Sequence, residues 1–233
     1  MDVGLFTQDG LVMVLRWIHF FAGVAWIGHL YYFNFVQGAF MPEVDATVKN
    51  NVFAKLVPRA MAWFRYGALW TFLSGLAMLI IAGKDLGGDF MKTPYGIFIW
   101  TGALLGTCMF LNVWLIIWPI QRGLINNGQT ALAGGTPDAA AAGKAPKALL
   151  ASRTNTMFSI PLLFFMGAAR HMPLTIPDEF SPGAVLAVVT LIILGLEFNA
   201  IKGKLGPMTT VKGVIHCGVG LLVVLYGIIE ALV

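Results

Sequence analysis

The sequence predicts an all-α integral membrane bundle of about six transmembrane helices, with both termini outside. Three observations carry this. Of the 233 residues, 58% are hydrophobic and 11% charged, against about 25% charged in an ordinary soluble domain, and the mean hydropathy is +0.80. Apolar runs recur at close to the ~20 residues that a helix needs to cross a hydrocarbon core. Lysine and arginine are divided unequally between alternate loops.

In chain order the expected spans are residues 11–37, 61–82, 96–119, 154–173, 183–201 and 212–232 of one membrane domain, 1–233. The first run lacks a basic start and a small-residue cleavage site and is long enough to span, so it is expected to remain as a helix. Between the first two spans, Val48, Val52, Phe53 and Leu56 recur at helical spacing beside basic residues, which predicts a short surface helix within 46–60. The segment 123–152, with GGTPDAAAAGKAPK at its centre, reads as a flexible cytoplasmic linker. The fourth span is the least apolar. Pro161 is expected to kink it, and it runs out into Arg170, His171 and Pro173.

Sorted by loop, Lys49, Lys55, Arg59, Arg65, Arg122, Lys144, Lys147, Arg153, Lys202, Lys204 and Lys212 share one side. Arg16, Lys84, Lys92 and Arg170 share the other, a split of 11 against 4 of the 15 basic residues. The positive-inside rule puts the richer side in the cytoplasm, and the expected location is the inner membrane of a bacterium. The net charge of +4 is scattered instead of forming a stripe, which excludes nucleic acid as a partner. Cys108 and Cys217 lie in apolar runs without CxxC or CxxCH spacing, so neither a cysteine zinc site nor a covalent c-type haem is encoded.

All four histidines lie in or at the ends of spans. Such groups are costly in lipid and tend to face the bundle interior with a partner. Under the expected topology His19 is near the outer surface and His29 about 15 Å deeper, rotated by about 80° on the same helix. His171 returns to the outer side and His216 lies near the inner side, so depth pairs His19 with His171 and His29 with His216. Two stacked imidazole pairs are what two b-type haems need, an outer and an inner one. Small residues a turn away from the ligands leave room for a porphyrin: Gly23, Ala25, Gly167, Gly213 and Gly220. Arg16 and Arg170 are placed for propionates of the outer group, Lys212 and Arg65 for those of the inner one. Among the other polar residues, Asn34, Asn112 and Asn199 suit bonds between helices, and Glu197 is a carboxylate near the inner boundary with a structural or proton-carrying role.

The motifs WIHFFAG and WIGHLYYFNF in the first span, PRAMAWFRYGALWTFLSG at the second and ARHMP at the end of the fourth resemble the membrane domain of the PuuD-type membrane-bound urate oxidases. In that family a multi-helix membrane domain precedes a C-terminal cytochrome c domain. The resemblance implies a redox membrane domain that hands electrons to a c-type cytochrome. This sequence has no CxxCH, so that partner is expected to be a separate polypeptide, or a quinone takes its place.

The leading expectation is therefore a dihaem b-type electron-transfer subunit in the bilayer, within a larger redox complex or beside a soluble partner. Urate oxidation by the chain itself is the alternative, with Arg16, Arg65, Trp26 and Tyr31 as candidates to hold the purine. A proton-coupled transporter using the histidines and Glu197, or a structural subunit of a membrane complex, are the readings from other classes.

Overall fold

The computed structural model describes residues 4–233, and those residues contain helices and no strand. Helix α1, Gln8–Tyr31, starts where the Thr7 side chain accepts from Gly10 N at 3.2 Å, an N-cap that satisfies one of the helix's free amides. It continues as a π-helical stretch, Tyr32–Gln37. Asp45 caps the short helix α2, Ala46–Asn51, by accepting from Val48 N at 2.9 Å, and a second π segment, Val52–Leu56, leads into α3, Val57–Leu86. Gly87, at φ 58°, turns the chain out of α3, a conformation that favours glycine.

Thr93 caps α4, Pro94–Leu111, which runs through a third π segment, Asn112–Ile117, into α5, Trp118–Leu132. Three long helices complete the chain: α6, Ala145–His171; α7, Gly183–Lys202; and α8, Val211–Leu232.

Five stretches are long and apolar enough to cross a membrane: Gln8–Glu43, Ala46–Lys92, Pro94–Leu132, Gly183–Lys202 and Val211–Leu232. The protein is an all-α, multi-pass membrane bundle. The expected fourth span is the exception, because α6 forms but is too polar to qualify. Its position explains this. α6 is about 40 Å long at 1.5 Å per residue and packs along α4 and α8, with further contacts to α7 and α1. Thr154, Asn155, Thr156 and Ser159 are completely buried, and a helix sheathed by other helices need not match lipid. Its hydroxyls also bond their own helix: Thr154 to Leu150 O at 3.1 Å, Thr156 to Ser152 O at 3.0 Å and Ser159 to Thr156 O at 2.7 Å.

The segment 123–152 is not the flexible linker that its composition suggests. Residues up to Leu132 finish α5, Ala139–Ala142 make one helical turn and α6 begins at Ala145. Alanine is the best helix former, so a run rich in it needs little hydrophobic face to become helical. α6 also runs unbroken through Pro161.

α1 and α3 pack on each other along their length as a hairpin. Gly67 makes this possible, since a Cβ there would lie 2.9 Å from Trp26 N and 3.0 Å from Ala22 O. The remaining long helices gather around α6. The hydrophobic core runs through both groups, with Leu30, Met61, Phe64, Phe98, Met109, Phe158 and Phe165 almost wholly buried.

Candidate functional site

The two imidazoles of α1 are held in the same way by different groups. On α3, Ser74 Oγ lies 2.6 Å from Trp70 O and donates its proton there. Toward His19 it must then accept, and His19 Nδ1 is 3.3 Å away. Gly75 lets the ring lie against α3, because a Cβ there would meet His19 Cε1 at 2.9 Å. His29 Nδ1 lies 2.7 Å from Ala25 O, one turn back on its own helix, to which it donates. In both cases the proton sits on Nδ1 and the lone pair on Nε2, the tautomer in which a histidine is presented to a metal. Among the described residues neither Nε2 has a hydrogen-bond partner.

His171 and His216 are exposed, and no hydrogen bond joins any two of the four histidines among the described residues. No group of three or more His, Cys, Asp or Glu side chains comes together there either. The structure seats His19 on α3, and it leaves His171 at the end of α6 and His216 on the outer face of α8.

The other expected site residues divide by surroundings. A Cβ on Gly167 or Gly220 would meet nothing within 4 Å, so both face open space. Gly23 has Thr71 of α3 3.8 Å from such a Cβ and serves helix packing, and Gly213 is crowded by the Pro207 carbonyl at the start of α8. Arg16 and Lys212 are exposed. Arg170 lies over the Tyr95 ring at 4.6 Å. Arg65 stacks on Trp118 at 3.8 Å and on Tyr66 at 4.7 Å, a cation–π sandwich that holds the guanidinium between α3 and α5. Trp26 is 2% exposed and packs against α3 at Gly67.

A second feature escaped the sequence reading. Ser152, Asn155, Thr156 and Ser159 recur at helical spacing and give α6 a polar face. Two of the π segments present asparagines to it. Asn34, in the first, donates to Ser152 Oγ at 2.8 Å and to Leu30 O at 2.9 Å. Asn112, in the third, donates to Asn155 Oδ1 at 2.9 Å and to Glu197 Oε2 on α7 at 3.0 Å, while Asn155 donates to Met109 O at 2.9 Å. Tyr31 and Ser159 share a hydrogen bond of 2.9 Å. A π segment widens the turn and re-aims its side chains, which is why such segments recur at functional positions. Here they deliver α1, α4 and, through Glu197, α7 onto α6. The sequence signal is the recurrence of Ser152, Asn155, Thr156 and Ser159 at three- and four-residue spacing.

Comparison with known proteins adds one decisive observation. Residues 89–226 match the family model described as urate oxidase N-terminal. The chain belongs to this family. The matched region takes in α4, α5, α6, α7 and most of α8, hence His171, His216, Glu197 and the polar face of α6, and begins after the hairpin that carries His19 and His29. No curated protein and no solved structure matches the chain.

Proposed function

We propose that this member of the urate oxidase N-terminal family is a membrane-bound dihaem b-type oxidoreductase subunit. In this reading it passes electrons from urate toward a c-type cytochrome or a quinone. The supporting observation is the matched state of the two α1 histidines. Each has Nδ1 engaged, by Ser74 or by the Ala25 carbonyl, and Nε2 free, the state in which an imidazole would hold a metal. His19 with His171 would hold an outer haem and His29 with His216 an inner one. A haem held by these residues would supply single-electron transfer.

The chain's residues have distinct tasks under this proposal. Ser74 and Gly75 fix the His19 ring, and the Ala25 carbonyl fixes His29. Gly167 and Gly220 leave clear surface on α6 and α8 where a porphyrin edge would rest. The hydrogen bonds joining α1 to α6 lie at Tyr31 and Asn34. Phe20 and Val24 of α1 and Leu163 and Gly167 of α6 are exposed, apolar surface against which a flat group would lie. Arg16, Arg170 and Lys212 would be the cations for its carboxylates.

A reduced-minus-oxidised spectrum of the purified protein with a haem count tests this, and addition of urate to the oxidised protein tests the donor. Growth of a reduced α band on urate addition supports urate as donor; a haem reduced by dithionite but not by urate moves the substrate to another reductant. A second reading, a proton-coupled transporter, draws on the Glu197 carboxylate held by Asn112 inside the bundle. A colourless protein that moves protons in vesicles selects it.

A further inference from the structure

Arg153 is an unusual residue to bury on the central helix of a bundle. It is 9% exposed, and its Nε and Nη1 are sealed without a hydrogen-bond partner. Among the described residues its only possible compensation by an acidic side chain is absent, the single ion pair there being Lys92 with Asp89. A buried charge without an anion is strongly unfavourable, so such a group signals a ligand.

The packing of α6 on α8 gives the face of α6 on which Arg153 lies. Ile160 is seven residues further on, within about 20° of the same face, and it packs on Gly218 of α8, where a Cβ would also lie 2.9 Å from Met157 O. Arg153 therefore faces α8, two turns nearer its start. Side chains on a helix lean toward that helix's N-terminus, and α6 and α8, separated by α7 and two loops, run in the same direction. The guanidinium is thus directed at the first turn of α8.

That turn has donors to spare. Thr210 Oγ accepts from Gly213 N at 3.0 Å and Thr210 O from Val214 N at 3.1 Å. The amides of Val211 and Lys212, which precede the first intrahelical bonds, have no acceptor among the described residues. Free amides at the positive end of a 22-residue helix favour an oxyanion, and a guanidinium fork matches its two oxygens.

We propose that Arg153 and the first turn of α8 form a binding site for one phosphate group, at the lysine-rich end of the bundle. The phosphate comes from an anionic phospholipid headgroup or from free phosphate. The site is separate from the histidines, so its test does not depend on the haem reading.

The experiment uses the full chain in detergent, with inorganic phosphate and phosphatidylglycerol as separate probes and phosphatidylcholine as the control. Native mass spectrometry reads retained lipid, and the thermal midpoint reads phosphate. The wild type is expected to bind one phosphate group, and Arg153→Gln to weaken binding by at least about tenfold. Stabilisation by inorganic phosphate identifies a soluble ligand, whereas retention of phosphatidylglycerol alone identifies a lipid. Should Arg153→Gln fail to fold, Arg153→Lys keeps the charge without the fork and is expected to lose affinity while retaining helical content. Absence of binding by both probes, or equal binding by wild type and the Arg153 variants, overturns the proposal.

Discussion

The α1–α3 hairpin and the group around α6 are built on different principles. The hairpin is a small-residue interface: Gly67 and Gly75 let α1 and α3 approach closely, and the polar contacts between them are His19 with Ser74 and, at the far end, Gln8 with Asp85. The α6 group is held by a polar helix at its centre, with Asn112, Asn155 and Glu197 bonded across three elements. Close packing of small residues and interhelical hydrogen bonds are the two means by which membrane helices associate where lipid offers no hydrophobic drive. The family match covers the α6 group and leaves out the hairpin, so the difference in construction coincides with the edge of the recognised region.

Substitutions that separate the two groups test this difference. Gly218→Ala is expected to be the most damaging, because the added methyl meets both the Ile160 side chain and the Met157 carbonyl. Overpacking of this kind costs about 1–3 kcal/mol, read as a lowered unfolding midpoint in detergent. Gly67→Ala pushes on the backbone of α1 at Trp26 and Ala22. It is expected to cost a similar or smaller amount, and to loosen the hairpin while the α6 group keeps its amide protection. Asn155→Leu removes the partner of both Asn112 and the Met109 carbonyl, with a loss of about 1–2 kcal/mol that leaves the hairpin unaffected. Tyr31→Phe removes one hydrogen bond between the two groups and is expected to cost only about 0.6 kcal/mol. A larger loss from Tyr31→Phe than from Asn155→Leu would reverse the comparison.

The helices that face lipid were legible because lipid enforces an apolar surface. The window 183–201 became Gly183–Lys202 and 212–232 became Val211–Leu232. α6 was legible only in part. Its burial freed it from that requirement, so its first turns, APKALLAS, followed a run of Ala and Gly and looked like linker. The π segments left no mark in composition, since Asn34 and Asn112 acquire their positions from a local change of helical pitch. At the site, the sequence singled out His19 and His29 by their cost in a membrane, whereas Ser74 and Gly75 required the register of α1 on α3 to be known. Arg65 was read as a propionate partner from depth alone; its seat between Trp118 and Tyr66 depends on α3 meeting α5.

The central proposal is that the two imidazoles of α1 would each hold a haem. Its most direct test is a haem count on purified wild type, His29→Ala and Gly75→Ala, each with a reduced-minus-oxidised spectrum. The account predicts two haems per wild-type chain and the loss of one with His29→Ala. Gly75→Ala, which displaces the His19 ring, is predicted to alter the other haem's band alone. A wild-type protein without a Soret band, or a haem count unchanged by His29→Ala, would contradict it.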